Sequence, residues 1–138
     1  MTKIHIRLGQ LEFIARLEED SAPNTCALFK SLLPYNAMMT HAGWSGEAGI
    51  VVLDHHYEDL AKENNTSHPA PGQILFYAGR DSEPKLLFPY GPSCFNSKVG
   101  QLAGNYFLTI DEGLDDLAKI DHLLLWQGAQ KVSFHLAD

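Results

Sequence analysis

A chain of 138 residues with 45% hydrophobic and 20% charged side chains can bury roughly 70% of the surface its unfolded form exposes. It is therefore expected to form one domain over 1–138 that needs no disulfide or metal staple. Ten Lys+Arg against 17 Asp+Glu leave a net charge of -7, which argues against a nucleic-acid or anionic-membrane partner. No run approaches the ~18 apolar residues of a membrane span, the N-terminus lacks the apolar core of a secretory signal, and Cys26 and Cys94 fit no zinc or CxxC pattern. A reduced, cytoplasmic protein is the expectation.

Ile4, Ile6 and Leu8 alternate with Lys3, His5 and Arg7, and Leu11, Phe13, Ala15 and Leu17 repeat the pattern. Gly9-Gln10 between them suits a hairpin turn, so two half-buried antiparallel strands are predicted. Ser21 then offers an N-cap and Pro23 a first helical turn. Ala22, Cys26, Phe29 and Leu33, with Leu28 and Leu32, make an apolar stripe that Pro34 ends. Cys26 on that stripe is read as a small core residue rather than a nucleophile.

Met38 to Leu53 reads as two strands around Ser45-Gly46, with the centre of the continuous apolar run Ile50-Val51-Val52-Leu53 buried on both faces. Asp54 to Pro71 is polar and is predicted as a long loop with one helical turn at Tyr57 to Lys62. Ile74 to Ala78 and Lys85 to Phe88 are predicted strands, Pro89 to Gly104 a second long loop, and Asn105 to Ile110 a strand. Leu114, Leu117, Ala118, Leu124 and Leu125 define a second helix with acids in its first turns and Gly128 as its stop. Val132, Phe134 and Leu136 close the chain as a strand. About eight strands and two separated helices are not a βαβ pattern, and a mainly β barrel or sandwich flanked by helices fits them.

The seven histidines include no HxH or HExxH grouping, and the Asp54-His55-His56 cluster with His68 and His41 reads as solvated loop residues; no metal and no cofactor are expected. Cys94 or Ser97 with His41 as base, and Ser97 with Lys98, lack any hydrolase motif. Gly100-Gln101-Leu102-Ala103-Gly104 lacks phosphate-loop spacing. The stronger signal is a concentration of residue types: His41, Trp44 and Glu47 within seven positions, Phe88-Pro89-Tyr90 at one glycine-rich segment, and Asn105-Tyr106-Phe107 after it. Aromatic walls with a few polar groups describe a small-ligand or peptide groove, and equally a barrel core with its turns.

Several segments resemble known ones. Ala22-Pro23-Asn24-Thr25 with Phe29 and Leu32 is similar to the first-helix motif of cyclophilins, and Gly104-Asn105-Tyr106-Phe107-Leu108-Thr109-Ile110 to one of their strands. His41-Ala42-Gly43-Trp44-Ser45-Gly46-Glu47-Ala48, Pro69-Ala70-Pro71-Gly72-Gln73-Ile74-Leu75, Phe88-Pro89-Tyr90-Gly91 and the stretch from Ser97 to Asn105 resemble a bacterial cyclophilin-like family described only as a domain of unknown function. Gly128-Ala129-Gln130-Lys131 extends the likeness towards the C-terminus.

The resemblance implies a closed eight-stranded cyclophilin-like β-barrel capped by two α-helices. It implies no activity. Ala42 or Gly43 stands where prolyl isomerases of the cyclophilin type carry their arginine, so isomerase turnover is not expected. The expected function is binding of a small polar metabolite or short peptide by His41, Trp44, Glu47, Tyr90, Lys98, Asn105 and Phe107. The alternative is an enzyme, either a residual prolyl isomerase or a small-amide hydrolase or isomerase using Glu47 and His41 as acid and base. Leu123-Leu124-Leu125-Trp126 extends beyond one core-facing stripe, which makes the barrel mouth or a second copy, in a homodimer or higher homo-oligomer, the expected cover.

Overall fold

Strict alternation makes the first two strands, and it also decides which side of them faces inwards. In the computed structural model, which describes residues 2–137, β1 (Lys3–Leu8) and β2 (Leu11–Leu17) form the predicted hairpin, with Gly9 at φ 57° in its turn. Ile4, Ile6, Leu8, Phe13, Ala15 and Leu17 are all buried. The chain continues through α1 (Pro23–Leu32), β3 (Tyr35–His41), β4 (Gly46–Val52), β5 (Asn65–Thr66), β6 (Gln73–Tyr77), β7 (Lys85–Ser93), β8 (Asn96–Ser97), β9 (Gly100–Gln101), β10 (Gly104–Glu112), α2 (Leu117–Gln127) and β11 (Gln130–Leu136).

Eight strands pair in the order β2-β1-β11-β3-β4-β7-β6-β10, and β10 pairs again with β2, closing an antiparallel barrel with no free edge in the ring. The closing seam matches Leu108 with Leu17, Thr109 with Arg16 and Ile110 with Ala15. Its outer face carries a charged zipper. Arg16 and Lys3 both bind Asp111, Arg16 Nε lies 3.1 Å from Glu18, and the Thr109 hydroxyl donates to Glu18 at 2.5 Å.

The helices cap opposite ends. β2 runs from the β1–β2 turn, where a Cβ on Gly9 would lie 3.4 Å from Leu123 of α2, to Glu18, whose carbonyl accepts the Ala22 N–H just before α1. The α1 stripe buries Cys26 and Phe29, and the Phe29 ring sets its edge against Phe107 and Phe134 at 5.0 and 5.5 Å. The other helix buries Leu117, Ile120 and Leu124. Gly49 lets Leu124 and Met39 close over β4, since a Cβ there would sit 2.7 Å from the Met39 sulfur. Of the four consecutive apolar residues of α2, Leu124 is buried and Leu123 half-buried, while Leu125 and Trp126 face outwards. Among the described residues no helix is long and apolar enough to cross a membrane.

Four local expectations are corrected. Ser21 does not cap α1: the N-cap position is Ala22, which has no side-chain cap. The first-turn N–H of Thr25 is instead taken by the Glu63 carboxylate at 2.5 Å, so a residue 38 positions away does the capping. The predicted helical turn after Tyr57 is a single turn, Leu60 N–H to Tyr57 carbonyl, with no helix. The predicted loop from Pro89 begins as strand, because β7 runs on to Ser93. Pro89 sits opposite Ala48, beside a register shift in β4, where its missing N–H is tolerated. Within the 50–53 run Ile50, Val51 and Leu53 are buried, but Val52 is 45% exposed.

The barrel is covered on one outer face as well. Ala42, Ala48, Ile50, Leu75, Tyr77, Leu87, Phe95 and Leu102 form a second apolar cluster outside the ring. Phe95 and Leu102, on either side of the β8–β9 hairpin, supply the cover, and the Phe95 ring meets Tyr77 edge-on at 5.7 Å. This second layer is why β7 is buried along most of its length.

The α1 end also holds a titratable tie. Lys30 and the Thr2 backbone donate to Glu19 and hold its carboxyl down to about 2. A carboxylate depressed in the folded state contributes stability that is present above its ordinary value near 4.5 and is lost as pH falls towards 2. Because Glu19 is about one-third exposed, solvent screening reduces the contribution to about 1 kcal/mol. Urea melts of wild type and Glu19→Gln between pH 6 and pH 2 should converge at the acid end; parallel curves would show that the tie contributes nothing.

Candidate functional site

The seven sequence-predicted residues do not converge on one groove. Tyr90 points into the barrel towards α2, is 5% exposed, and donates to Asp121 at 3.4 Å. Burial, then the Asp121 and Glu47 charges, push its hydroxyl well above the usual phenol range. Glu47 is exposed and lies against Gly91, where a Cβ would come within 2.9 Å of its Oε1. His41 is half-buried at the end of β3, and Trp44 is 55% exposed in the turn that follows. Lys98 is exposed in the β8–β9 turn. Phe107 is fully buried, edge-on to Phe29 and Phe76. Among the described residues no hydrogen bond or ion pair joins any two of the seven, His41 and Glu47 included.

Asn105 has a different part. It is 4% exposed and its amide is used on both sides. Its Oδ1 accepts from the Glu63 backbone and Asn65 Nδ2 at 3.2 and 2.9 Å, and its Nδ2 donates to Thr25 Oγ1 and the Ala61 carbonyl, both at 3.0 Å. Thr25 in turn donates its hydroxyl to Glu63 at 2.7 Å. This network locks the 61–65 segment onto α1 and β10, and so shapes the cleft beside it.

That cleft, of about 320 Å³, is built from three segments: the 58–67 loop, the end of β6 with the turn to Asp81, and 101–105. Phe76, Tyr77 and Leu102 supply apolar lining, and Asn105 is the one sequence-predicted residue within it. The Tyr77 hydroxyl accepts the backbone N–H groups of Asp81 and Ser82 at 2.7 and 3.1 Å, which fixes the turn that forms one wall. Glu58, Lys62, Arg80 and Asp81 all line the cleft and are exposed, and among the described residues none of them makes an ion pair. Two charges of each sign therefore stand free around an apolar floor. The sequence marks the 54–71 loop as long enough to carry function but does not mark these four residues, because their pattern is ordinary until the segments meet.

Nucleophile chemistry finds little support at the other positions. Burial pushes the Cys26 thiol up to about 12, keeping it a protonated core group. Ser97 Oγ donates to the Gly100 carbonyl and accepts the Val99 N–H, which spends it on closing the β8–β9 turn. Lys85 is 3% exposed and donates to Ser82 Oγ at 3.1 Å, 6.0 Å from the Tyr77 ring centroid, and burial lowers its affinity for the proton. Among the described residues no three His, Cys, Asp or Glu side chains gather in a way that could hold a metal.

Residues 4–136 match a family model described as "Protein of unknown function (DUF3830)". Among curated proteins none matches the chain. Solved structures share its fold, McbB and an archaeal hypothetical protein among them. McbB, determined in complex with tryptophan, superposes with a TM-score of 0.72 at 21% identity, over 96% of this chain and 44% of McbB. The chain thus spans less than half the length of McbB. The hypothetical protein AF2241 from Archaeoglobus fulgidus, a solution structure, gives 0.63 at 15% identity, over 99% of this chain and 95% of its own. Likeness at these identities extends to the fold.

Proposed function

The chain belongs to the protein family of unknown function DUF3830, and we propose that its barrel is a binding module for a small polar metabolite or short peptide bearing an apolar or aromatic group, taken up in the cleft between the 58–67 loop and the β6–β7 turn. The observation that carries this reading is the free charge of both signs around the Phe76, Tyr77 and Leu102 lining. Such an arrangement suits a zwitterion: Arg80 or Lys62 meets a carboxylate, Asp81 or Glu58 an ammonium, and the rings take the side chain. The cleft volume lies at the lower end of the range for small-molecule sites, which favours an amino-acid-sized ligand. That McbB was solved with tryptophan makes aromatic amino acids the first class to try.

The test is calorimetric titration of the wild-type chain with tryptophan, phenylalanine, tyrosine and dipeptides beginning with them. Saturable binding is expected for at least one, with a rise in melting temperature that grows with ligand concentration. Arg80→Ala should weaken it by about 10- to 100-fold, the worth of one charge-assisted hydrogen bond. Asp81→Asn should weaken amino acids but not their N-acetylated forms. Silence across the panel, or Arg80→Ala and Asp81→Asn both binding like wild type, would remove the cleft from consideration.

A further inference from the structure

On the outer face of the barrel, away from the cleft beside the 58–67 loop, the first and last strands bring two histidines face to face. β1 and β11 pair antiparallel with His5 directly opposite His135, 130 residues apart in sequence. Their ring centroids are 4.6 Å apart, and His5 Nδ1 lies 2.8 Å from His135 Nε2. The other nitrogen of His5, Nε2, lies 3.3 Å from Glu12 Oε1 on β2, and Arg7 Nη2 holds the same oxygen at 3.1 Å. The His5 side chain is 24% exposed and His135 is exposed, so solvent ions reach the pair.

We propose that His5 and His135 form a two-histidine site for a late first-row divalent cation, Zn²⁺, Ni²⁺ or Cu²⁺, with Glu12 as the outer carboxylate that orients His5. Imidazole–metal bonds of about 2.0–2.1 Å place two neighbouring ligand nitrogens roughly 2.9–3.4 Å apart, a few tenths of an ångström beyond the present separation. The carboxylate beside Nε2 favours the proton there and leaves the Nδ1 lone pair aimed at His135, the arrangement in which an acidic partner fixes a metal-bound imidazole. On binding, two nitrogen–metal bonds replace the hydrogen bond between the rings, the proton it used moves to His135 Nδ1, and water completes the coordination sphere. No oxidant or further reactant enters. Two imidazoles suit these cations over Mg²⁺ or Ca²⁺, which take oxygen ligands. Because the ligands sit on the first and last strands, the bound ion cross-links β1 to β11.

The experiment titrates metal-free wild-type chain with NiCl₂ or ZnCl₂ by calorimetry, and follows the imidazole signals by NMR as Ni²⁺ is added. One ion per chain is expected, with paramagnetic broadening centred on His5 and His135. His5→Ala and His135→Ala should each weaken binding by at least about tenfold, Glu12→Gln by about tenfold, and His122→Ala not at all. Both histidines lie on the outer face, so their variants should keep the wild-type metal-free melting temperature, and His5→Gln gives a second, shape-preserving check. Loss of binding in both histidine variants with folding intact supports the site. Absence of uptake by wild type from millimolar Ni²⁺, or unchanged isotherms in both histidine variants, overturns it.

Discussion

Phe107→Ala should cost about 3–5 kcal/mol of unfolding free energy, the range for removing a buried aromatic ring from a core that cannot collapse around the gap. Phe107 is fully buried and meets Phe29 of α1 at 5.0 Å and Phe76 of β6 at 5.7 Å, both edge-on, so its ring joins the α1 cap to two barrel strands. Its backbone carbonyl also accepts the Glu18 N–H at 2.8 Å, fixing the chain as it leaves β2 for α1. Aromatic edge contacts add to the transfer free energy that truncation removes. Urea denaturation read by circular dichroism measures the loss directly, without any ligand. A residue kept for ligand contact would show little change in the ligand-free protein. A cost below about 1 kcal/mol would mean that the ring is not the keystone between α1 and the barrel.

Asn105→Ala should cost about 2–3 kcal/mol, for a different reason. Little apolar volume disappears, but the Glu63 N–H, the Asn65 amide, the Thr25 hydroxyl and the Ala61 carbonyl each lose a partner. Groups left unsatisfied in this part-buried setting carry part of the desolvation penalty that the hydrogen bonds had offset. Because Thr25 bridges Asn105 to Glu63, the loss should be strongly non-additive with Glu63→Ala. A double-mutant cycle measures this, and simple additivity would show that the capping of α1 and the anchoring of the 61–65 segment are separate events. In Asn105→Ala the 61–65 segment should also exchange its amide hydrogens faster than in wild type, while β1 and β11 stay protected.

The sequence marks both Phe107 and Asn105 for ligand contact; the tertiary structure packs Phe107 into the core, while Asn105 lines the cleft and also anchors its wall. Aromatic and amide side chains serve both purposes, and their one-dimensional pattern is the same in each. Phe107 shows the ambiguity most plainly: in β10 it alternates inwards with Asn105, and inward-facing positions on a closed barrel are core unless a cavity reaches them.

Local order was legible wherever it rests on nearest neighbours along the chain. Period-two alternation set β1, β2 and β11 and their inner faces, apart from Leu136, which is exposed at the end of β11; the Ala22–Leu33 stripe set α1, and Gly128, at φ 79°, ends α2 as expected. Pleat, helical twist and positive φ are properties of a few consecutive residues, so these signals survive without knowledge of the rest. The tertiary structure alone decided what depends on distant segments. It made Glu63 rather than Ser21 the cap of α1, carried β7 through Pro89 because a register shift in β4 lies opposite, and closed the ring between β2 and β10. It also gathered Glu58, Lys62, Arg80 and Asp81 around one apolar floor and set His5 against His135 across 130 residues. The physical reason is that charge and side-chain chemistry act through space over a few ångströms, whereas the pattern along the chain reports only the side of each element that is apolar.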